Sequence, residues 1–357
     1  MKHKTPFLNL RFSILLASSA LAVASCHPDN PAPEPQQSKI ETPRRIAAAD
    51  GHLYVSCYRP ASVVRIDTAS LRVDASCPLG NYNPEGVAVA GGKLFAVSSW
   101  NQTENGDYLY DDKVYVIDLA TFTVSTTLTV GTNPQQVKVL DDNRLIVNYN
   151  GNYADQPAGS AIIDATTLDV LQTGLPMTSM SIHNGKVYCY STSYDAQWNP
   201  TATYLCYDPS TASSSPILQR CNVTRPYSIN VLDDNIYLTT DGNYTSNGDL
   251  LCLAPDGTPL WQCEAGMLPS ALLDLADGTA YLLNEGNWGS NNASLSRVNL
   301  SSGSIDNTVF SSANGRGLGD VAQDAVLYGS KVYVTVSFSN TIEVLSPADN
   351  TSVQIKL

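Results

Sequence analysis

Histidine is scarce in this chain, four in 357 residues, and only His52 and His183 fall after residue 43. Each stands beside a turn (ADGHLYV and SIHNGKVY), which makes a multi-histidine metal site or a Ser-His-Asp triad hard to assemble. No CxxC, GxSxG, HExxH or P-loop occurs. Helical periodicity is nearly absent. Lys and Arg total 20 against 33 Asp and Glu, a formal charge of −13 that argues against nucleic acid and anionic lipid as partners. After the first 25 residues, no apolar run approaches the roughly 18 residues of a membrane-spanning helix.

What is present begins with Lys2, Lys4 and Arg11 ahead of the apolar run Phe12 to Ala24, the layout of a secretory signal over residues 1–25. Val23-Ala24-Ser25-Cys26 resembles a bacterial lipoprotein cleavage site, with Cys26 as the lipidated first residue; a plain secretory signal is the other reading. Residues 26–43, with HPDNPAPEPQQS, then form a Pro-rich tether. Losing three basic residues with the signal carries the formal charge to −16. Seven cysteines come after Cys26, an odd count that leaves at least one unpaired in a monomer. Cys252 and Cys263 flank the turn Pro255-Asp256-Gly257-Thr258, where they either bridge or lie buried as small apolar side chains.

From residue 44 onward one phrase recurs: a strand, a tight polar turn, then a strand opening Lys-Leu/Val-Phe/Tyr. It reads Pro84-EGVAVAGGKLFAV, Pro134-QQVKVLDDNRLIV, Pro176-MTSMSIHNGKVYCY, Pro226-YSINVLDDNIYL and Pro269-SALLDLADGTAYLL, with RRIAAADGHLYV before and Ala322-QDAVLYGSKVYV after. Each is succeeded by a second strand pair such as VYVIDLATFTV or AIIDATTLDV. Alternation of period two with Gly, Asn and Asp turns predicts antiparallel sheet. Four strands per repeat of roughly 40 to 45 residues predict a blade, and seven repeats an all-β, seven-bladed β-propeller over 44–357 with four antiparallel strands per blade.

In that fold the loop between the second and third strands shares a face with the connection to the next blade. The loops predicted there are rich in Asn, Tyr, Trp and Gly, notably 98–113, 148–160, 191–203, 239–249 and 284–294. Tyr and Trp supply stiff contact area and Asn adaptable hydrogen bonds. The candidate binding residues are Trp100, Asn101, Tyr108, Asn150, Tyr153, Tyr194, Trp198, Asn243, Tyr244, Asn287 and Trp288, with Arg225, Tyr227 and Arg316 from inter-blade connections. Individually they also fit ordinary turn chemistry; recurrence at one structural position makes the collective argument. Two carboxylates among Glu85, Asp111, Asp112, Glu285, Asp320 and Asp324 are the alternative, a propeller hydrolase or lyase, though spacing in sequence does not show any pair meeting at the separation this needs. Residues 241–249 are rich in oxygen ligands but break the DxDxDG order of a calcium loop. The expectation is therefore binding without a catalytic residue, metal or catalytic cofactor.

Leu283-NEGNWGSNNASLSRVN and Gly315-RGLGDVAQD resemble the YncE-type seven-bladed propellers of gut Gram-negative anaerobes, in particular the BtuG-like surface lipoproteins. The strand repeat carries the resemblance over nearly all of 44–357. It implies an outer-membrane lipoprotein, cell-surface exposed, that binds cobalamin as a transported ligand and passes it to a BtuB-like TonB-dependent transporter, touching the membrane through its lipid alone. The NEGN segment stands in the sixth blade here rather than near the first, a circular shift that a ring tolerates; no single contact residue is carried over. A protein-interaction propeller without a small ligand is the other non-enzymatic reading.

Overall fold

The computed structural model describes residues 40–357. The signal over 1–25, the lipidated Cys26 and the tether as far as residue 39 lie outside the described residues. Residues 41–356 fold as a seven-bladed β-propeller. The blades span 41–78, 83–129, 134–172, 179–216, 226–264, 269–306 and 322–356, each an antiparallel meander whose strands pair in chain order. Blade two adds a fifth strand, Tyr108–Tyr110, which pairs with the overlong second strand Lys93–Gln102 and holds its loop upright. The propeller starts at Glu41 rather than Arg44, because the inner strand Glu41–Ala49 pairs through Glu41 with Arg59. Among the described residues every sheet consists of strands consecutive in the chain, and no blade combines strands from both ends of the propeller.

Proline opens the inner strands Pro134–Asp141, Pro226–Leu232 and Pro269–Asp274, where its missing N–H leaves no ladder bond unmade. A register shift comes within a few residues at these sites, and equivalent shifts occur in blades one, two and seven. Such bulges twist the strand and re-aim its side chains. In blade four the strand begins at Ser179, three residues beyond Pro176, without a shift.

Seven separate apolar clusters hold the ring, one in each seam between successive blades. Phe95, Leu145, Tyr190, Tyr281 and Tyr333 are among their fully buried members. A buried aliphatic side chain is worth roughly 1.5–3 kcal/mol, so each seam is a substantial bond between blades. The seam joining blades seven and one has its own cluster, including Ile46, Val55, Tyr333 and Ile355. It adds side-chain bonds from Ser337 Oγ to the Pro43 carbonyl, Thr335 Oγ1 to the Arg44 carbonyl, and Tyr328 OH accepting from Gly51 N.

The third and fourth strands are joined by turns with a common device. Asp67, Asp118, Asp164, Asp208, Asn299 and Asp349 each accept a hydrogen bond from a backbone N–H two or three residues on. This Asx geometry turns the chain with no helix or long loop. All seven described cysteines are free; Cys252 faces Trp261 across the ladder while Cys263 faces Leu250, so the two cysteines are not cross-strand partners. Burial pushes the Cys189 thiol up to about 12 and Cys263 to about 11.

Candidate functional site

Backbone hydrogen bonds identify the face on which the long loops meet. The loops between second and third strands bond to the inter-blade connections: Gly151 N to the Thr132 carbonyl at 2.9 Å, Gly286 N to Met267 at 3.0 Å, Ala265 N to Gly248 at 2.8 Å and Ser337 N to Val321 at 2.8 Å. Both sets therefore form one rim.

Seven aromatic side chains are well exposed among the described residues: Tyr108, Tyr153, Tyr194, Trp198, Tyr244, Trp288 and Phe338. All seven stand in rim loops. Exposure reaches 79% for Trp198 and 74% for Tyr153, more than chance scatter of a surface aromatic explains when every instance shares one face. They associate in groups around the ring. Trp100 is half-buried, edge-on to Tyr58 at 5.9 Å and tilted to Tyr108 at 5.6 Å. Tyr110 meets Tyr153 at 6.2 Å, Tyr194 meets Trp198 at 6.0 Å, Tyr227 meets Tyr244 at 6.2 Å and Trp288 meets Phe338 at 5.9 Å. Each separation suits a stable aromatic pair, so the rings are pre-positioned rather than loose.

The predicted asparagines brace these loops. Asn101 Oδ1 accepts from Gln102 N, Asn150 Nδ2 donates to Tyr153 OH at 3.3 Å, and Asn287 Nδ2 crosses from blade six to the Tyr244 carbonyl at 3.3 Å. Asn243 takes a left-handed backbone, φ 56°, inside a short 3-10 turn capped by Asp241. The other oxygen of Asp241 pairs with Arg225 at 2.6 Å, and that guanidinium lies 6.0 Å from the Tyr244 ring centre. Residues 241–249 are thus a braced rim loop with Asp241 already committed to an arginine; no cluster of three metal-ligating side chains occurs among the described residues.

Inside the aromatic ring lies a layer of buried polar groups that sequence reasoning did not assemble. Arg44 donates to Glu85 at 3.2 and 3.4 Å, and Tyr58 OH donates to the same carboxylate. Across the channel mouth, Tyr227 OH donates to Glu285 at 2.6 Å and Gln323 Nε2 to its other oxygen. Burial, reinforced by Glu285, holds the Tyr227 phenol far above its ordinary range; burial does the same for Tyr58, where Arg44 opposes the shift and Glu85 adds to it. Both phenols remain hydrogen-bond donors at any physiological pH. The acids singled out as candidate catalytic groups, Glu85 and Glu285, have their oxygens occupied by these donors.

Tyr227 therefore joins the channel mouth with its hydroxyl and the rim with its ring. Arg316 stands apart from the other candidates. It makes a two-pronged ion pair with buried Glu343, at 2.7 and 2.9 Å, and its guanidinium covers Phe310 in the seam between blades six and seven. The sequence reading missed Tyr58 and Phe338. Tyr58 closes the second strand of blade one just as Trp100 continues that of blade two, a positional signal hidden by the minimal Arg59-Pro60 connection. Both histidines lie at the first-to-second strand turns on the opposite face: His52 bonds the Asp50 carbonyl and His183 meets Asp234 at 3.0 Å.

No protein-family model and no curated protein matches the chain. Among solved structures, the computationally designed Ika8 protein aligns with 90% of this chain and 98% of its own at 8% identity and a TM-score of 0.50, a likeness of fold. The Kuenenia stuttgartiensis hydrazine synthase aligns with 89% of this chain and 80% of its own at 12% identity and a TM-score of 0.44.

Proposed function

We propose that this chain is a lipid-anchored outer-membrane protein that captures cobalamin or a related corrinoid on its aromatic rim and delivers it to a TonB-dependent transporter. The observation that carries the reading is the confinement of all seven exposed aromatics to one face, arranged around a polar channel mouth. A corrinoid presents the matching chemistry. Its apolar edges rest on Trp and Tyr faces, and its peripheral amides exchange hydrogen bonds with Asn, Gln and Tyr groups. Pre-positioned pairs such as Tyr194 tilted against Trp198 lose little freedom on binding, which favours affinity. Capture of this kind requires contact and orientation, with no nucleophile or general base; the lipoprotein pattern at Cys26 and the NEGNWG resemblance supply the cellular setting.

Calorimetric titration of the chain lacking residues 1–26 with cyanocobalamin tests this. Saturable one-to-one binding at micromolar ligand or below is expected; no heat of binding in that range overturns the reading.

A further inference from the structure

Below the Arg44 and Glu85 layer, the axial lumen has a chemistry of its own. Its volume is about 110 Å³, and its walls include Arg45, Gln136, Lys138, Ser179, Asn230 and Asp324. Two cations thus face one carboxylate. Asp324 is already held by protein, its oxygens accepting from Ile46 N at 3.2 Å and Ala325 N at 3.0 Å. Arg45 spends one terminal nitrogen on the Gln323 carbonyl, while its Nε is sealed from solvent without a protein acceptor. The Gln136 side-chain oxygen is likewise sealed and unpartnered. Lys138 makes no ion pair with a carboxylate among the described residues; burial lowers its pKa, Asp324 opposes the shift and the neighbouring Arg45 adds to it.

A buried donor without an acceptor costs about 1–3 kcal/mol, more when charged. Arg45 Nε is such a donor, Lys138 lines the same lumen, and together they bring two positive charges to one space. We propose that this lumen is a binding site for one small oxyanion of the phosphate or sulfate type. Lys138 and the Arg45 Nε–H donate to its oxygens, and the Gln136 amide, turned so that its NH₂ leads, donates a third bond. Asp324 opposes the anion, keeping the affinity modest and the site exchangeable. The occupant is a free ion: the Arg44–Glu85 pair and the Tyr227–Glu285–Gln323 contacts stand between the lumen and the rim.

The test is calorimetric titration of the full chain in detergent with inorganic phosphate. One-to-one binding is expected, weakened about tenfold or more by Lys138→Met, tightened by Asp324→Asn, and unchanged by the rim substitution Trp198→Ala. Absence of saturable binding up to about 50 mM phosphate, or binding indifferent to both lumen substitutions, overturns the proposal. Should Lys138→Met fail to fold, Asp324→Asn decides alone, since tightening supports the site and an unchanged or weaker affinity sinks it. Loss of cobalamin binding with phosphate binding intact, or the reverse, separates this site from the rim.

Discussion

The two faces of the ring are built from the same strands yet solve different problems. On the turn face, residues such as Asp118 and Asp164 satisfy the backbone of their own turn within three positions, and the chain reverses at once. On the rim, loops run out from the sheets, bond to the neighbouring connection and lift aromatic rings into solvent. One face is optimised for folding, the other carries exposed apolar area at a cost in solubility. A surface that retains such a cost on one side only is a surface for contact.

That division is open to direct attack, beginning at the base of the rim. Glu85→Ala strips the counter-charge from Arg44 and the acceptor from Tyr58 in a buried setting, and is expected to cost about 3 kcal/mol of stability, read by chemical denaturation. Next comes the turn face, where Gly303 has φ +72° and a Cβ there would stand 2.7 Å from the Trp261 ring. Gly303→Ala is expected to cost about 2 kcal/mol while leaving cyanocobalamin affinity unchanged. Trp198→Ala should do the opposite, weakening cyanocobalamin about tenfold, which is 1.4 kcal/mol, with an unaltered melting temperature. If the turn variant weakened the ligand as much as the rim variant, the division of labour between faces would fail.

The smallest expected effect is an acid one. Hydrogen bonds from residues two or three positions on hold Asp67, Asp118, Asp164, Asp208, Asp256 and Asp349 below the usual carboxylate range. Their folded pKa values lie below the unfolded ones, so the stabilisation is complete above the unfolded value of about 4 and disappears as pH falls through the folded values. In Asp324→Asn, which removes the oppositely signed contribution of a carboxyl that burial holds above its usual range, the melting temperature should be flat down to about pH 5 and decline below pH 4. Asn299 does not titrate. Hydrogen exchange should therefore show the amides of Ala120 and Thr121 losing protection in acid while those of Ser301 and Ser302 keep theirs.

Strands were legible because a two-residue period and a Gly or Asx turn are local facts, written within a dozen residues. The seven repeats came from that period and the recurring phrase, and the shared face of their long loops from the propeller geometry the repeats imply. Boundaries set by pairing did not: Glu41 joins the first strand only through Arg59, and Tyr108–Tyr110 only through Lys93–Gln102. The short helix Val309–Asn314 was equally invisible, since it is fastened by Phe310 in the seam between blades six and seven. Six of the seven exposed rim aromatics could be named from composition and position, Phe338 being the exception. The channel mouth could not, because Arg44, Glu85, Tyr227, Glu285 and Gln323 come from five blades and meet only when the ring closes. Arg316 shows the converse, a residue in a rim connection whose charge is claimed by Glu343, 27 positions on.

Asn340 holds both ends of the propeller at once, accepting from Thr42 N through its side chain and from Leu357 N through its carbonyl. With consecutive strands in every blade, the ring then has no privileged first blade. A short linker from 357 to 41 and a new opening in any rim connection would yield a circular permutant with the same seven seams and the same rim. Position along the chain is therefore a poor coordinate for comparing such rings; a blade is identified by what its loop presents, and NEGNWG in the sixth unit occupies the same place in a circle as it would in the first.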